Sequence, residues 1–221
     1  MLRGLFITGT DTNVGKTTAA AAVMLRYRNL QSLKYWKPIQ TGIEVDDDTR
    51  TVRELANCVD SELHLSGIRL RNPVAPYLAA ELSGRRITVA DALAPVEKQP
   101  ESARWVVEGA GGVLVPINES ELMIDLMVAL GLPVLVVSRA SLGTINHTML
   151  TLETIRRRKL EPAGVVMVGQ RNAANRSAIE KFGSVTVIGE IPHFEPLTAE
   201  SLGPWATAEF DREGALERYF K

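Results

Sequence analysis

One cysteine, Cys58, stands among the 221 residues, which excludes an intrachain disulfide and any CxxC metal or redox site. An excess of charge of either sign is also missing, because 25 Lys and Arg face 26 Asp and Glu for a net charge of −1. No broad basic surface is therefore expected for nucleic acid or an anionic membrane, and any polyanion must be met locally. No apolar run reaches the roughly 18 residues that a membrane helix needs, and the N-terminus enters an apolar strand with no basic, apolar, small-residue export signal. A cytoplasmic protein is the expectation. Long linkers, internal repeats and low-complexity tracts are absent as well, so residues 1–221 are read as a single domain.

The composition is 45% hydrophobic and 23% charged, as in a soluble globular protein. Apolar runs resembling buried parallel strands recur at Leu5–Thr8, Leu33–Lys37, Trp105–Glu108, Val134–Ser138, Val165–Val168 and Val185–Ile188. Helical patterns are predicted at Lys16–Asn29, Asp48–Asn57, Pro76–Leu82, Val89–Ala94, Glu121–Leu130, Ile145–Lys159 and Arg176–Phe182. That alternation predicts an α/β fold, a mostly parallel sheet with helices on both faces. The weakly patterned stretch from Val59 to Ile87 reads as an excursion over the carboxyl edge of the sheet, where ligands bind. After Pro192 only an amphipathic stretch at Asp211–Phe220 stands out.

Between the first strand and first helix lies Gly9-Thr10-Asp11-Thr12-Asn13-Val14-Gly15-Lys16-Thr17-Thr18. Glycine lets the main chain approach a polyphosphate, the N–H groups of the turn point at the anion, Lys16 adds charge and Thr17 is placed to ligate magnesium. Five residues separate the glycines where the usual phosphate loop has four, so either the loop is longer by one or Thr10 replaces the first glycine. The alternative is a chance glycine turn before a helix. Lys16 is taken as an exposed loop lysine that contributes little to stability.

Four further clusters surround this loop. Lys37 ends the second predicted strand, with Thr41 four residues on, and either neutralises an anion there or snorkels to solvent. Glu108 ends an apolar strand before Gly109-Ala110-Gly111-Gly112, a place for a metal-ligating acid beside flexible backbone, or a solvated strand end. Asp46-Asp47-Asp48 precedes a predicted helix as either metal ligand or helix cap. Leu142-Gly143-Thr144-Ile145-Asn146-His147 opens another helix, whose free N–H groups suit an anion, although a capping Thr144 explains much of it.

In order and spacing these motifs, with Ala75-Pro76-Tyr77-Leu78-Ala79-Ala80 and Gly189-Glu190-Ile191-Pro192, resemble the dethiobiotin synthetase family from Gly4 to about Pro192. The resemblance implies a phosphate-loop NTPase fold and a ligase that joins 7,8-diaminononanoate to carbon dioxide (bicarbonate) using ATP and Mg2+. A carbamate and a carbamic–phosphoric anhydride are the implied intermediates of this biotin-forming ring closure. Lys16, Lys37 and Thr12 are implied to be catalytic, and Thr17, Asp48 and Glu108 to hold Mg2+. Asn13, Val14, Gly15, Lys16, Thr17, Thr18 and Glu108 are implied on the nucleotide side, with Gly169, Gln170 and Pro192 near the base. Thr12, Lys16, Lys37, Thr41 and Gly111 would contact the substrate, joined by Asn146 from the other subunit of a homodimer.

This chain departs from the family where an asparagine usually follows the fifth strand to read the base; Asn172 or Asn175 serves only with a shifted register. The alternative function is a partner-regulated ATPase switch of the same fold. Such switches usually carry a second lysine early in the loop, and Thr10 to Val14 contains none. Cys58, His64, His147 and His193 are given no chemical role.

Overall fold

The strand sequences are apolar on both faces, so each must be covered from both sides, and the fold obliges with a parallel sheet between helical layers. The computed structural model describes residues 2–30, 32–96 and 103–221. In chain order the strands are β1 (Arg3–Gly9), β2 (Leu33–Trp36), β3 (Ile39–Thr41), β4 (Leu63–His64), β5 (Ile68–Leu70), β6 (Arg104–Gly112), β7 (Val134–Arg139), β8 (Pro162–Val168) and β9 (Val187–Ile191). The helices are α1 (Lys16–Tyr27), α2 (Asp48–Ala56), α3 (Pro76–Leu82), α4 (Val89–Leu93), α5 (Met123–Leu130), α6 (Thr144–Arg157), α7 (Ala173–Gly183) and α8 (Ala199–Ala208). None of the described helices is long and apolar enough to cross a membrane.

Seven strands form one sheet in the order β4-β2-β6-β1-β7-β8-β9, with every pairing parallel. Alternation along β1 divides the core: Leu5 and Ile7 enter one apolar cluster with Tyr35, Val106 and Val137, while Phe6 enters the other with Trp36, Trp105 and Val136. On the first face α1 presents Ala19, Ala20, Ala21 and Ala22, all inaccessible to solvent. Such short side chains let the helix that follows the phosphate loop lie close against the sheet.

The six predicted main strands and seven predicted helices are present, with ends shifted by a few residues. Not predicted were α8, which carries Gly203 and Pro204, the two-residue edge strand β4, and β3 and β5, which form a separate two-stranded sheet. The expected excursion after Val59 builds β4, β5 and α3. The amphipathic Asp211–Phe220 stretch is a turn ending in a 3-10 segment at Glu217–Tyr219, with Leu216 and Phe220 in the core. Asp211, at φ 45°, accepts the Ala215 and Leu216 amides and the Tyr27 hydroxyl, and Phe220 stacks on Tyr27 at 4.9 Å. These local bonds hold an irregular path whose apolar residues still reach the core.

Candidate active site

The carboxyl ends of β1, β2 and β6 are adjacent in the sheet, and each carries a polar signature of the sequence to one edge. β1 delivers the phosphate loop. Gly9 must be glycine, because a Cβ there would stand 2.6 Å from the Asp11 carbonyl and 3.2 Å from Lys16 Nζ. Gly15 caps α1 at φ 95° with no side chain accepting from the first turn, which leaves those N–H groups for an anion. Lys16, expected to be exposed, is only 7% accessible, with Nζ 3.2 Å from the Asp11 carbonyl. The loop folds over its stem.

Lys37 follows β2 directly and is 3% accessible, so the snorkelling reading fails. Its Nζ lies 2.5 Å from Asp48 Oδ2, 2.8 Å from Glu108 Oε1 and 3.0 Å from the Gly109 carbonyl. All three ammonium protons are thereby directed at oxygen. Thr17 Oγ1 lies 2.7 Å from Asp48 Oδ1 and 3.1 Å from Glu108 Oε1, and Tyr35 donates to Glu108 Oε2 at 2.8 Å. Glu108 is completely buried, within a strand that continues to Gly112 rather than at a strand end.

The three aspartates divide the roles that the sequence left open. Asp47 is the cap of α2, accepting from the Thr49 and Arg50 amides at 3.0 and 3.2 Å. Asp48 turns into the cleft, and Asp46 bonds through its main chain, its N–H donating to the Gly42 carbonyl and its carbonyl accepting from Gln40 Nε2. Two carboxylates and a hydroxyl form a hard oxygen set that already surrounds one positive charge, which is the chemistry a divalent cation requires. Among the described residues no group of three or more His, Cys, Asp or Glu is gathered for a metal. A cation placed here would have these three oxygen donors and its ligand's own oxygens to rely on.

Electrostatics follow from burial in a charged cluster. Burial pushes the Glu108 carboxyl up, an effect that Lys37 partly offsets. Burial acts on Asp48 in the same sense, but the Lys37 ammonium outweighs it and holds Asp48 below the usual range. Lys37 is raised because Glu108 and Asp48 overcome its desolvation. Lys16 is lowered, first by burial and then by repulsion from Lys37. The site thus holds two acids and two bases in tension.

A cleft of about 640 Å³ opens over this cluster, lined by Thr12, Asn13, Gly15, Lys16, Thr17, Thr18, Lys37, Thr41, Asp48, Glu108 and Gly111 among others. Val45, Pro73, Val74 and Val115 add an apolar wall, part of it from the loop after β5. Asn13 and Val14 also border a second cavity of about 550 Å³ with Gly169, Gln170, Asn172 and His193, while Pro192 lines a third, near Trp205. Asn146 lines none of these. It is exposed in the first turn of α6, whose cap is Gly143 at φ 92°, so the expected Thr144 cap is not formed.

Asn175 Nδ2 donates to the Ala140 carbonyl, and Asn172 Oδ1 caps α7. Those amides serve structure. Two partners of the site escaped sequence reading: Tyr35, and Arg69, which donates to the Lys37 carbonyl at 2.9 Å. Tyr35 had one legible signal, a polar atom two residues before Lys37 on the same side of a strand.

A sequence-family model described as the AAA domain matches residues 3–201. The ATP-dependent dethiobiotin synthetase of Paramagnetospirillum magneticum is 48% identical over 201 residues, covering 91% of this chain and 93% of that protein. That of Nitrobacter hamburgensis is 38% identical, covering 90% of each. A bifunctional biotin biosynthesis protein of Bordetella avium is 43% identical over 92% of this chain and 42% of its own length. Among solved structures, a ParA family ATPase from Chlorobium tepidum superposes with a TM-score of 0.59 at 9% identity, covering 100% of this chain and 98% of its own. The septum site-determining protein MinD of Pyrococcus horikoshii gives 0.58 at 12%, over 100% and 95%. The last two establish the fold alone, but relatives this similar along nearly their whole length show that the chain belongs to the dethiobiotin synthetase family.

Proposed function

We propose that this chain closes the ureido ring of dethiobiotin from 7,8-diaminononanoate, carbon dioxide and ATP, releasing ADP and phosphate. The observation that carries the reading is the convergence of Lys16, Lys37, Thr17, Asp48 and Glu108 on one cleft beneath the phosphate loop. One amine of the substrate adds to carbon dioxide and loses a proton, giving a carbamate. A carbamate oxygen takes the γ-phosphoryl group from ATP, and the second amine then attacks the carbamoyl carbon and expels phosphate. No protein nucleophile is required.

Lys16, among the loop N–H groups, binds the phosphates and the carbamate. Lys37 stabilises charge on the transferring group, and Thr12 orients the carbamate, a task of positioning and electrostatics. Thr17, Asp48 and Glu108 would hold Mg2+, which neutralises phosphate charge when bound. Thr41 and the backbone at Gly111 border the diamine, and the apolar wall of Val45, Val74 and Val115 suits its alkyl chain. Gly169, Gln170 and Pro192 lie toward the base. Asn146, exposed beside a fully exposed Leu142, is offered to the carboxylate bound by a second subunit of a cytoplasmic homodimer.

The test incubates purified protein with the diamine, bicarbonate and Mg-ATP and seeks dethiobiotin by mass spectrometry. Diamine-dependent ADP release with product of the right mass supports the reading. ATP turnover that ignores the diamine, from well-folded protein, overturns it and favours a switch.

A further inference from the structure

Tyr35 is inaccessible to solvent, on β2, packed in the apolar cluster that holds Leu5, Ile7 and Val106. The register of β2 against β6 sets Tyr35 opposite Val106, two residues before Glu108. From there the hydroxyl reaches Glu108 Oε2 at 2.8 Å, while Oε1 receives Lys37 at 2.8 Å and Thr17 at 3.1 Å. The two oxygens of one carboxylate therefore have different duties. Oε2 is tied to the core, and Oε1 is turned to Lys37 and Thr17, which line the cleft.

A glutamate carboxylate turns on three side-chain torsions, the last of them broad, whereas a packed tyrosine ring has only two and both are fixed by its neighbours. A bond from such a ring converts core packing into ligand orientation. We propose that Tyr35 is a positioning residue, which fixes Glu108 so that Oε1 faces the cation and thereby sets how tightly the site holds it. Outer partners of metal-ligating carboxylates act in this way, and their loss costs about 10-fold or more in metal affinity. This rests on the reading above that Glu108 ligates the cation.

The test is Tyr35→Phe, which removes one oxygen and leaves the ring. Mn2+ is titrated into the protein with a non-hydrolysable ATP analogue and no diamine, followed by electron paramagnetic resonance. The Mn2+ dissociation constant should rise about 10-fold, and the Mg2+ concentration that half-saturates ADP release should rise with it, while kcat at saturating Mg2+ changes far less. In a Glu108→Gln background the effect of Tyr35→Phe should vanish, since the two act through one bond.

Tyr27→Phe is the control, for that tyrosine is also buried and bonded to a carboxylate, Asp211, outside the cleft. It should lower the melting temperature and leave Mn2+ affinity unchanged. If the phenylalanine variant does not fold, Tyr35→Met refills the space with a flexible side chain that likewise lacks the hydroxyl. Wild-type Mn2+ affinity in a folded Tyr35 variant overturns the proposal, as does wild-type affinity in Glu108→Gln. Loss of Mn2+ affinity in a protein that makes no dethiobiotin leaves Tyr35 in this role and overturns the ring-closure reading instead.

Discussion

Lys37 Nζ lies 2.8 Å from Glu108 Oε1, two buried opposite charges 71 residues apart in sequence, one just past the end of β2 and the other within its parallel neighbour β6. Asp48 closes the arrangement at 2.5 Å from the same nitrogen. Two acids proposed to hold the cation are thus neighbours of one base proposed to act on the transferring group, and its charge favours their ionised forms. Such a cluster is sensitive to the removal of any member.

Lys37→Met should be the most damaging single change to the site. It leaves the buried Glu108 and the partly buried Asp48 without their shared counter-charge, and removing one member of a buried group of this kind costs about 3–5 kcal/mol. Turnover should fall at least 100-fold, by loss of a charge aimed at the transferring group. Mg2+ should restore part of the melting temperature in this variant more than in the parent, because it supplies the missing positive charge. Thermal melts with and without Mg2+ check this.

Lys16→Ala should separate function from stability. Its ammonium is desolvated and contacts one carbonyl, so truncation should move stability by less than about 1 kcal/mol, although the residue is buried. Turnover should drop by about 100-fold or more, and the rise in melting temperature on adding an ATP analogue should be lost, since that rise reports binding to the folded state. A large loss of stability without nucleotide would instead mark Lys16 as a structural residue.

Gly9→Ala should damage the loop without touching any proposed ligand. Its new methyl group meets the Asp11 carbonyl at 2.6 Å and Val14 Cγ2 at 2.8 Å. Crowding of this kind costs about 1–3 kcal/mol, and the loop that shifts to relieve it carries Thr12 to Lys16. Calorimetric titration with an ATP analogue should show weakened binding together with a lowered melting temperature.

The acid limb of stability should carry the mark of Asp48. Its folded value is held below the ordinary 3.8, so its contribution is present above 3.8 and is lost as pH falls through the lower folded value. Glu108 works in the opposite sense: burial raises it above 4.5, so ionising it costs stability as pH rises beyond 4.5. Asp48→Asn should flatten the loss below pH 3.8, and Glu108→Gln should remove the loss above pH 4.5. Chemical denaturation across pH 2.5 to 6 is the measurement, the range being chosen to bracket both values.

Cys58 should be inert in the native protein. Burial pushes its thiol up to about 11, and the side chain is 7% accessible. At pH 8 an aromatic disulfide reagent should label it slowly, and stoichiometrically once the chain is unfolded. Rapid native labelling would show that this corner of α2 opens readily.

Much of the fold was legible because the strands are buried on both faces and read as continuous apolar runs, and because glycine marks the phosphate loop. β3, β4 and β5 were not, being two or three residues long and too short to express a period. Gly203 and Pro204 broke the pattern of α8, which is held by packing of Leu202 and Ala206 rather than by propensity. The amphipathic Asp211–Phe220 stretch does pack on the domain, but its path is set by bonds centred on Asp211 that no periodicity reveals. Asp46, Asp47 and Asp48 are chemically identical, and only the direction of the chain entering α2 decides which caps and which faces the cleft.

By itself the sequence determined the kind of chemistry. A glycine-bounded loop with Lys16 and Thr17, a lysine at Lys37 and an acid at Glu108 are local facts, read from residue type and spacing along single strands. Tertiary structure alone decided which of these residues meet and in what protonation balance, because Lys37, Asp48 and Glu108 are neighbours only through the order β2-β6-β1. It also gave Tyr35 a place in the site. A tyrosine within an apolar strand reads as core, and the direction of its hydroxyl is fixed by a register between two strands that no local pattern encodes.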